Sequence, residues 1–376
     1  MSYLLGYGIL AMPYALAEGG WISLGALFAI GGICSYTAIL LQQCMESNEL
    51  VKTYPDIGQL AFGIKGRNLM DQVMNAELYF VVIGLLIIEG DNIDLLFPGI
   101  EYHIFGIIVK GKQCFIILSA LVVLPTTWQK DLRVLSYLSF TSFLVFLLLL
   151  VLIIWIGAFQ GVGFHGGVVV NFGRLPTSLS IFIFSYGGHT IIPTVYASMK
   201  NTKKFSKVLI IGFTVSTLQY AVMAVTGYLM FGKETKSIVT LNLPQRLVTS
   251  KITIWTVIAI PLVKYALVLM PVVNSLEEKF QVTGKLARIL FRTFLVISTV
   301  VIALGIPFFT TFISLVGSLL SSMASILLPC LCYLKIFKST LKWGHKMFTI
   351  IFILGVGVLI AILGTYVSIK QIIQDN

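Results

Sequence analysis

Residues 178–199 read SLSIFIFSYGGHTIIPTVYASM, a segment that is long and apolar enough to cross a lipid bilayer. Its centre, however, contains two adjacent glycines, Gly187 and Gly188, and Pro193 follows them. Glycine favours non-helical backbone, and proline cannot donate the hydrogen bond that a continuous helix needs. The pattern therefore predicts two half-helices that meet near the glycines. Because unwound backbone within a membrane must be shielded by protein or by water, this break is a candidate binding site.

The composition of the whole chain is that of a polytopic membrane protein. Of its 376 residues, 57% are hydrophobic and only 11% are charged, whereas soluble domains are about half apolar and a quarter charged. The formal net charge is +11, but the basic residues lie between apolar segments and are not interleaved with aromatic residues, so we expect no nucleic-acid partner. The five cysteines form no CxxC pair, which argues against a zinc site or a disulfide framework. We expect no metal and no cofactor.

Apolar segments separated by short polar connections predict eleven membrane spans in one transmembrane domain that covers residues 1–376. They lie at about residues 1–17, 21–44, 69–90, 114–127, 134–158, 178–199, 207–230, 252–274, 289–305, 310–334 and 347–370. With this assignment, seventeen lysines and arginines lie on one side of the membrane and eight on the other. The side with seventeen is predicted to be cytosolic by the positive-inside rule.

The first span repeats the pattern of the sixth. Gly6, Tyr7 and Gly8 come before Pro13, and the proline follows the last glycine by five residues, as Pro193 follows Gly188. Proline is tolerated in the first turn of a helix, so each proline is predicted to open the second half of a broken span. If residues 1–158 and 178–334 are two inverted halves, with 347–370 as an extra span, the breaks are equivalent and face one binding site. The alternative is that glycine and proline are simply common in membrane helices.

Two facing breaks would offer complementary backbone groups to a ligand. The N–H groups of Gly8, Ile9 and Leu10, at the positive end of a half-helix, suit a carboxylate. The carbonyl groups of Phe184, Ser185 and Tyr186 suit an ammonium group. The pair predicts an amino acid as ligand, and other small zwitterions fit equally well.

Three ionisable residues are predicted within the membrane: Glu77, His189 and Lys264. Such residues normally face the interior of a helix bundle and find partners there. His189 lies in the second break, and its reference pKa of about 6.5 suits either a proton-coupling role or a hydrogen-bonded structural role. Glu77 and Lys264 lie at similar depths in the third and eighth spans, which predicts an ion pair that is either structural or a proton relay. The fixed ammonium of Lys264 favours proton coupling over sodium coupling.

Two polar segments are interpreted as structural. The sequence YPDIGQLAFG at residues 54–63 predicts a turn followed by a short helix along the membrane surface. The acidic residues Glu89, Asp91 and Asp94 fall at the outer end of the third span, where we expect a solvated rim.

Four motifs together resemble the amino acid/auxin permease family, and most closely its vacuolar amino-acid transporter branch. They are GYGILAMPYALAEGGW at 6–21, YPDIGQLAFG at 54–63, ELYFVVIGLLIIEGDN at 77–92 and SYGGHTIIPTVYASMKN at 185–201. The resemblance implies a LeuT-like fold of ten spans in two inverted halves plus an eleventh. It also implies proton-linked transport of neutral amino acids across the vacuolar membrane. The substrate site would be lined by both breaks: Gly6, Tyr7, Gly8, Ile9, Leu10, Phe184, Ser185, Tyr186, Gly187, Gly188 and His189.

The resemblance also implies a cytosolic segment and a half-helix before the first glycine pair, and in this sequence only Met1 to Leu5 precede Gly6. We therefore expect a truncated first span, and a form that does not transport is one alternative function. An amino-acid sensor is another, and the sequence leaves the oligomeric state open. An enzyme is not expected, because neither an HExxH motif nor paired aspartates within the membrane occur.

Overall fold

The computed structural model describes residues 7–104, 107–128, 133–199, 201–306, 308–341 and 343–375. Within these ranges, seven helices are long and apolar enough to cross a membrane. They cover Ile22–Glu46, Tyr54–Leu96, Thr202–Glu234, Val248–Lys279, Lys285–Gly305, Phe309–Ile336 and His345–Gln374. The chain is therefore a polytopic, mainly helical membrane protein. Two further predicted spans fall on the apolar stretches Gly111–Thr127 and Leu144–Phe159, the second of which is part of the longer helix Arg133–Phe159. The other two fall on interrupted segments, so the count of eleven stays a prediction.

Thirteen α-helices form the described part of the chain. In chain order they are α1 (Met12–Gly19), α2 (Ile22–Glu46), α3 (Tyr54–Leu96), α4 (Gly111–Thr127), α5 (Arg133–Phe159), α6 (Leu175–Ser185), α7 (Ile192–Ser198), α8 (Phe205–Phe231), α9 (Val248–Lys279), α10 (Lys285–Gly305), α11 (Phe309–Val316), α12 (Leu328–Ile336) and α13 (His345–Asp375). A short antiparallel hairpin of β1 (Glu101–Ile104) and β2 (Ile107–Lys110) joins α3 to α4. The sequence analysis did not anticipate this hairpin.

Helix α3 begins with the short helix that the sequence predicts. Thr53 and Asp56 form a capping box, in which the Asp56 carboxylate accepts the Thr53 N–H at 2.9 Å. Gly63, with φ 66° and ψ −155°, then interrupts the helix before the long apolar part begins. The Tyr54 hydroxyl donates to the Ala324 carbonyl at 2.8 Å and thereby fixes this first turn to the region before α12.

Helix α3 lies at the centre of the bundle and packs against α4, α9, α10 and α12, while α1 packs against α6 and α8. Between α11 and α12 the chain is π-helical over Gly317–Ser321 and Met323–Leu327. The π-helix is rare and occurs mostly as short bulges, frequently at functional sites. This segment faces α3 and α6 and therefore borders the second break.

The outer end of α3 is more enclosed than the sequence predicts. Glu89 is 1% exposed, so the expectation of a solvated rim is wrong for this residue. The first part of α4 covers this end of α3, since Lys112 and Ile116 lie directly against Gly90, the residue next to Glu89. Asp91 forms an ion pair with Lys112 at 2.6 Å.

At the opposite end, one buried arginine joins three helices. Arg292 of α10 is 3% exposed, and its guanidinium donates to both carboxylate oxygens of Glu277 in α9, at 2.7 and 3.2 Å. It also donates to the Thr127 carbonyl at the end of α4, at 2.9 Å. This fork of three hydrogen bonds fixes the ends of α4, α9 and α10 relative to one another.

Candidate functional site

The second break has the predicted form. Helix α6 ends at Ser185, and Tyr186 leaves the helix with φ −87° and ψ 3°. Gly188 has φ 138°, a conformation that only glycine adopts readily. A 3₁₀ turn over His189–Ile191 leads into α7, which carries Pro193 in its first turn. The prediction that this proline opens the second half-helix is confirmed.

The first break is a single 3₁₀ helix, Tyr7–Ala11, that continues into α1. Pro13 lies in the first turn of α1, as predicted. Gly6, the first residue of the predicted site, lies outside the described residues. The described part of this break is therefore more tightly wound than an open loop, but it is not α-helical.

The two breaks touch each other. A methyl group placed on Gly8 would overlap the side chain of Ser185, so glycine is the residue that allows this approach. Beside it, the rings of Tyr7 and Phe184 pack edge to face, with their centroids 5.5 Å apart. The Tyr7 hydroxyl donates to the Val81 carbonyl of α3 at 2.9 Å and so holds the first break against the central helix.

A cavity lies where the breaks meet α3 and α9, and the space within it for the centres of water molecules is about 70 Å³. That space holds on the order of five waters or a small ligand. Eight of the predicted site residues line it, namely Tyr7, Gly8, Glu77, Phe184, Ser185, Gly187, Gly188 and Lys264. The structure therefore brings both breaks and two of the three predicted ionisable residues to one place.

Four predicted residues do not line this cavity, namely Ile9, Leu10, Tyr186 and His189. Ile9 and Leu10 are fully buried in the core. The Tyr186 hydroxyl donates to Thr217 of α8 at 2.8 Å. The Ser185 carbonyl, one of the groups predicted to receive an ammonium ion, accepts a hydrogen bond from the Tyr220 hydroxyl at 2.9 Å.

His189, the fourth of these residues, contacts α2. Its Nε2 lies 3.0 Å from the Cys34 carbonyl and 3.1 Å from the Thr37 hydroxyl. A carbonyl oxygen can only accept a hydrogen bond, so Nε2 carries the hydrogen in this arrangement. Nδ1 is buried without a partner among the described residues. This environment favours the structural interpretation of His189 over the coupling interpretation.

Glu77 and Lys264 share the cavity, but the ion pairs found among the described residues do not include this pair. The Lys264 ammonium instead lies 4.7 Å from the centre of the Phe146 ring in α5, within the range of a cation–π interaction. The two residues thus line one site, as their matched depths predict. The ion pair that the sequence suggested is not among the ion pairs of the described residues.

The apolar walls of the cavity were missed by the sequence analysis. Leu78, Val81 and Leu85 of α3 line it, and so do Leu267 and Val268 of α9. The signal was present, because the three α3 residues recur on one helical face beside Glu77 and the α9 residues follow Lys264 by three and four positions.

A second, larger cavity adjoins the first, and we call it the vestibule. It offers about 850 Å³ to water and shares Leu78, Ile191 and Leu267 with the inner cavity. Its other lining residues include many polar side chains: Thr53, Arg67, Asn68, Asp71, Gln72, Thr190, Thr194, Ser198, Asn274, Ser275, Glu278 and Lys279. Two of these residues, Arg67 and Lys279, belong to the side that the sequence analysis predicts to be cytosolic.

Comparison with known proteins identifies the family. The sequence profile described as transmembrane amino acid transporter protein matches residues 2–370. Amino acid transporter AVT1I of Arabidopsis thaliana is 45% identical over 377 residues, which cover 99% of this chain and 93% of the relative. Amino acid transporter AVT1J of the same plant is 43% identical over 377 residues, which cover 99% of this chain and 89% of the relative. The resemblance carried by the four motifs is confirmed, and the chain belongs to the family of transmembrane amino acid transporter proteins.

Proposed function

We propose that this chain is a secondary active transporter of neutral amino acids, coupled to protons, in the vacuolar membrane or another endomembrane. The observation that carries the proposal is the contact between the two predicted breaks, at Gly8 and Ser185, beside a cavity in the bundle. Transporters built from inverted repeats bind their substrates at such breaks. The family match and the names of the relatives, which are transporters rather than enzymes, support the same class.

The proposed architecture has eleven spans. Residues 1–158 form the first half, residues 178–334 form the second half in inverted orientation, and residues 347–370 form an additional span. The equivalent positions of Pro13 and Pro193, each in the first turn of the helix that follows a break, support this assignment. The broken first and sixth spans correspond to a LeuT-like arrangement.

The proposed binding mode places an amino acid between the two breaks. Its carboxylate is bound by the backbone N–H groups of Gly8, Ile9 and Leu10 in the 3₁₀ helix Tyr7–Ala11, at the positive end of the helical segment that follows. Its ammonium group is bound on the side of Phe184 and Gly187. The Ser185 carbonyl already accepts from Tyr220, and the Phe184 carbonyl accepts from the Gly187 N–H at 3.0 Å, so each of them offers its second lone pair to the ammonium group. The apolar face of Leu78, Val81 and Leu85 suits an uncharged side chain.

Proton coupling is assigned to ionisable groups in or beside the cavity. Glu77 and Lys264 line it directly, whereas His189 lies behind the break and contacts α2. A group that is sealed in the protein core cannot exchange protons with either compartment. The cavity lined by Glu77 and Lys264 adjoins the vestibule, and this contact supports these two residues as coupling groups. His189 stays a weaker candidate.

The test is uptake of radiolabelled alanine by proteoliposomes that contain the full chain, with and without an imposed pH gradient. We expect alanine to accumulate only when the gradient is present, and unlabelled neutral amino acids to compete better than lysine or glutamate. Binding of alanine without flux would instead indicate a sensor. Neither binding nor flux of any neutral amino acid would contradict the proposal.

A further inference from the structure

Three buried side chains beside Gly187 carry oxygen atoms that have no hydrogen-bond partner in the described part of the chain. They are the carboxylate of Glu77, the hydroxyl of Thr190 and the hydroxyl of Ser321. Glu77 and Thr190 are each 2% exposed and Ser321 is 1% exposed. Buried polar groups are normally hydrogen-bonded, so a cluster of unpartnered ones needs an explanation.

Two of these groups, those of Glu77 and Ser321, meet at Gly187. A Cβ atom placed on Gly187 would lie 3.3 Å from Glu77 Oε1 and 3.7 Å from Ser321 Oγ. The Glu77 carboxyl group interacts with the side-chain hydroxyls of Thr190 and Ser321. We call this set of three residues the hydroxyl cage. It is assembled from α3, the 3₁₀ turn after the second break and the first π-helical segment.

Ser321 differs from its neighbours in the same segment. The Ser318 hydroxyl donates to the Leu315 carbonyl, and the Ser322 hydroxyl donates to the Gly317 carbonyl. A serine within a helix commonly forms such a hydrogen bond to a carbonyl of the preceding turn. Ser321 makes no such bond. Its hydroxyl is therefore available to Glu77, and the π-helical backbone places it on that side.

No described basic side chain forms an ion pair with the Glu77 carboxylate. Lys264 of α9 and Tyr7 of the first break line the same cavity, and Tyr54 of α3 interacts electrostatically with Glu77 and with Cys332 of α12. No ion pair within 4 Å involves Glu77 among the residues described. A buried carboxylate without a paired cation is strongly unfavourable, so the group binds a proton or another cation.

We propose that Glu77 is the group that carries the transported proton and that Thr190 and Ser321 complete its site. When protonated, the carboxyl O–H donates to one hydroxyl oxygen. When the proton leaves to water as a hydrated proton, the carboxylate remains and both hydroxyls rotate to donate to it. Hydroxyl groups serve both states because they donate and accept. This inference rests on the proposed function, since it names the coupling residue of that same transport.

The geometry points to a proton rather than to a metal ion or to the ammonium group of the substrate. Glu77 packs directly against Gly187, which leaves little room between them. One carboxylate and two hydroxyls provide fewer oxygen ligands than a hard cation normally takes. Ser321 does not line the cavity in which the substrate is proposed to bind. Thr190, by contrast, lines the vestibule, which gives the proton a wet path out of the bundle.

Infrared spectroscopy of the purified full chain in liposomes tests the proton site without using transport. We expect the wild-type chain to show, during a pH titration, a C=O stretch of a protonated carboxyl group that is missing in Glu77→Gln. Ser321→Ala and Thr190→Val should shift the frequency of this band, whereas the control Ser322→Ala should not. The proposal is overturned if Glu77→Gln loses no band, if neither cage variant shifts it, or if sodium in place of potassium displaces the proton at constant pH.

Transport provides the second measurement. Uptake of radiolabelled alanine by the wild-type chain should depend on external pH, and Glu77→Gln should lose this dependence. Glu89→Gln is the matched control, because Glu89 lies on the same helix, is equally buried and also lacks a partner among the described residues. The proposal would be overturned if alanine uptake lost its dependence on external pH in Glu89→Gln and kept it in Glu77→Gln. If the wild-type chain moves no amino acid, the proposed function fails while the infrared result still decides whether Glu77 binds a proton.

Discussion

Gly8 and Ser185 lie face to face where the interrupted helices meet, and this contact depends on the absence of one side chain. Gly8→Ala would force its methyl group into the Ser185 side chain and push the breaks apart. We expect Gly8→Ala to abolish alanine uptake. The control is Gly25→Ala in α2, where an added methyl meets nothing within 4 Å; it should transport normally and gain about 0.5–1 kcal/mol of stability. Normal flux through Gly8→Ala would show that the breaks need not touch.

His189 provides a second prediction at this scale. A glutamine at this position retains an N–H donor for the Cys34 carbonyl, but it cannot take up a proton near neutral pH. If the histidine is structural, His189→Gln keeps the pH profile of alanine uptake, whereas His189→Ala loses stability because it leaves a cavity and an unpaired group. The measurements are flux as a function of pH and thermal unfolding in detergent. A flat pH profile for His189→Gln would return the coupling role to this residue.

At the scale of whole elements, the fork of Arg292 connects α4, α9 and α10. Removing one partner of a buried ion pair leaves the other charge unpaired, which typically costs about 3 to 5 kcal/mol. We therefore expect Arg292→Met to lower the free energy of unfolding by that order, as measured by equilibrium denaturation in mixed micelles. Arg288 is 34% exposed and lies 3.8 Å from Glu277, so Arg288→Ala should cost less than about 1 kcal/mol. Equal losses for the two variants would contradict this division of roles.

Sequence reasoning predicted the interrupted elements well and their contacts poorly. The breaks follow from local chemistry, since Gly188 needs its positive φ and Pro193 begins a helix wherever it lies. The hydroxyl of Ser321 could not be assigned to Glu77, because that contact depends on a π-helical turn and on packing between distant parts of the chain. The same holds for Tyr220, whose hydroxyl occupies the Ser185 carbonyl. Residues that act within their own turn can be read from sequence, whereas partners brought by tertiary packing cannot.

For the molecule as a whole, the two adjoining cavities suggest one path to the site. The vestibule adjoins the inner cavity, and Tyr7, which lines the inner cavity, packs against Phe184 and Phe309. An alternating-access transporter must be able to close one end and open the other. We therefore predict that the site is reached through the vestibule, from the lysine-rich side.

This assignment predicts which side of the membrane reaches the vestibule. Ser198 is exposed in the vestibule, and Lys236 is exposed in the connection between α8 and α9 on the predicted opposite side. In a Cys114→Ser background, whose other four cysteines are buried, Ser198→Cys should react with a membrane-impermeant maleimide only from the lysine-rich side. Lys236→Cys should react only from the other side. Because the positive-inside rule makes the lysine-rich side cytosolic, sealed vacuoles should expose Ser198→Cys to added reagent and protect Lys236→Cys. Labelling of both positions from one side would refute the topology and, with it, the assignment of the open end.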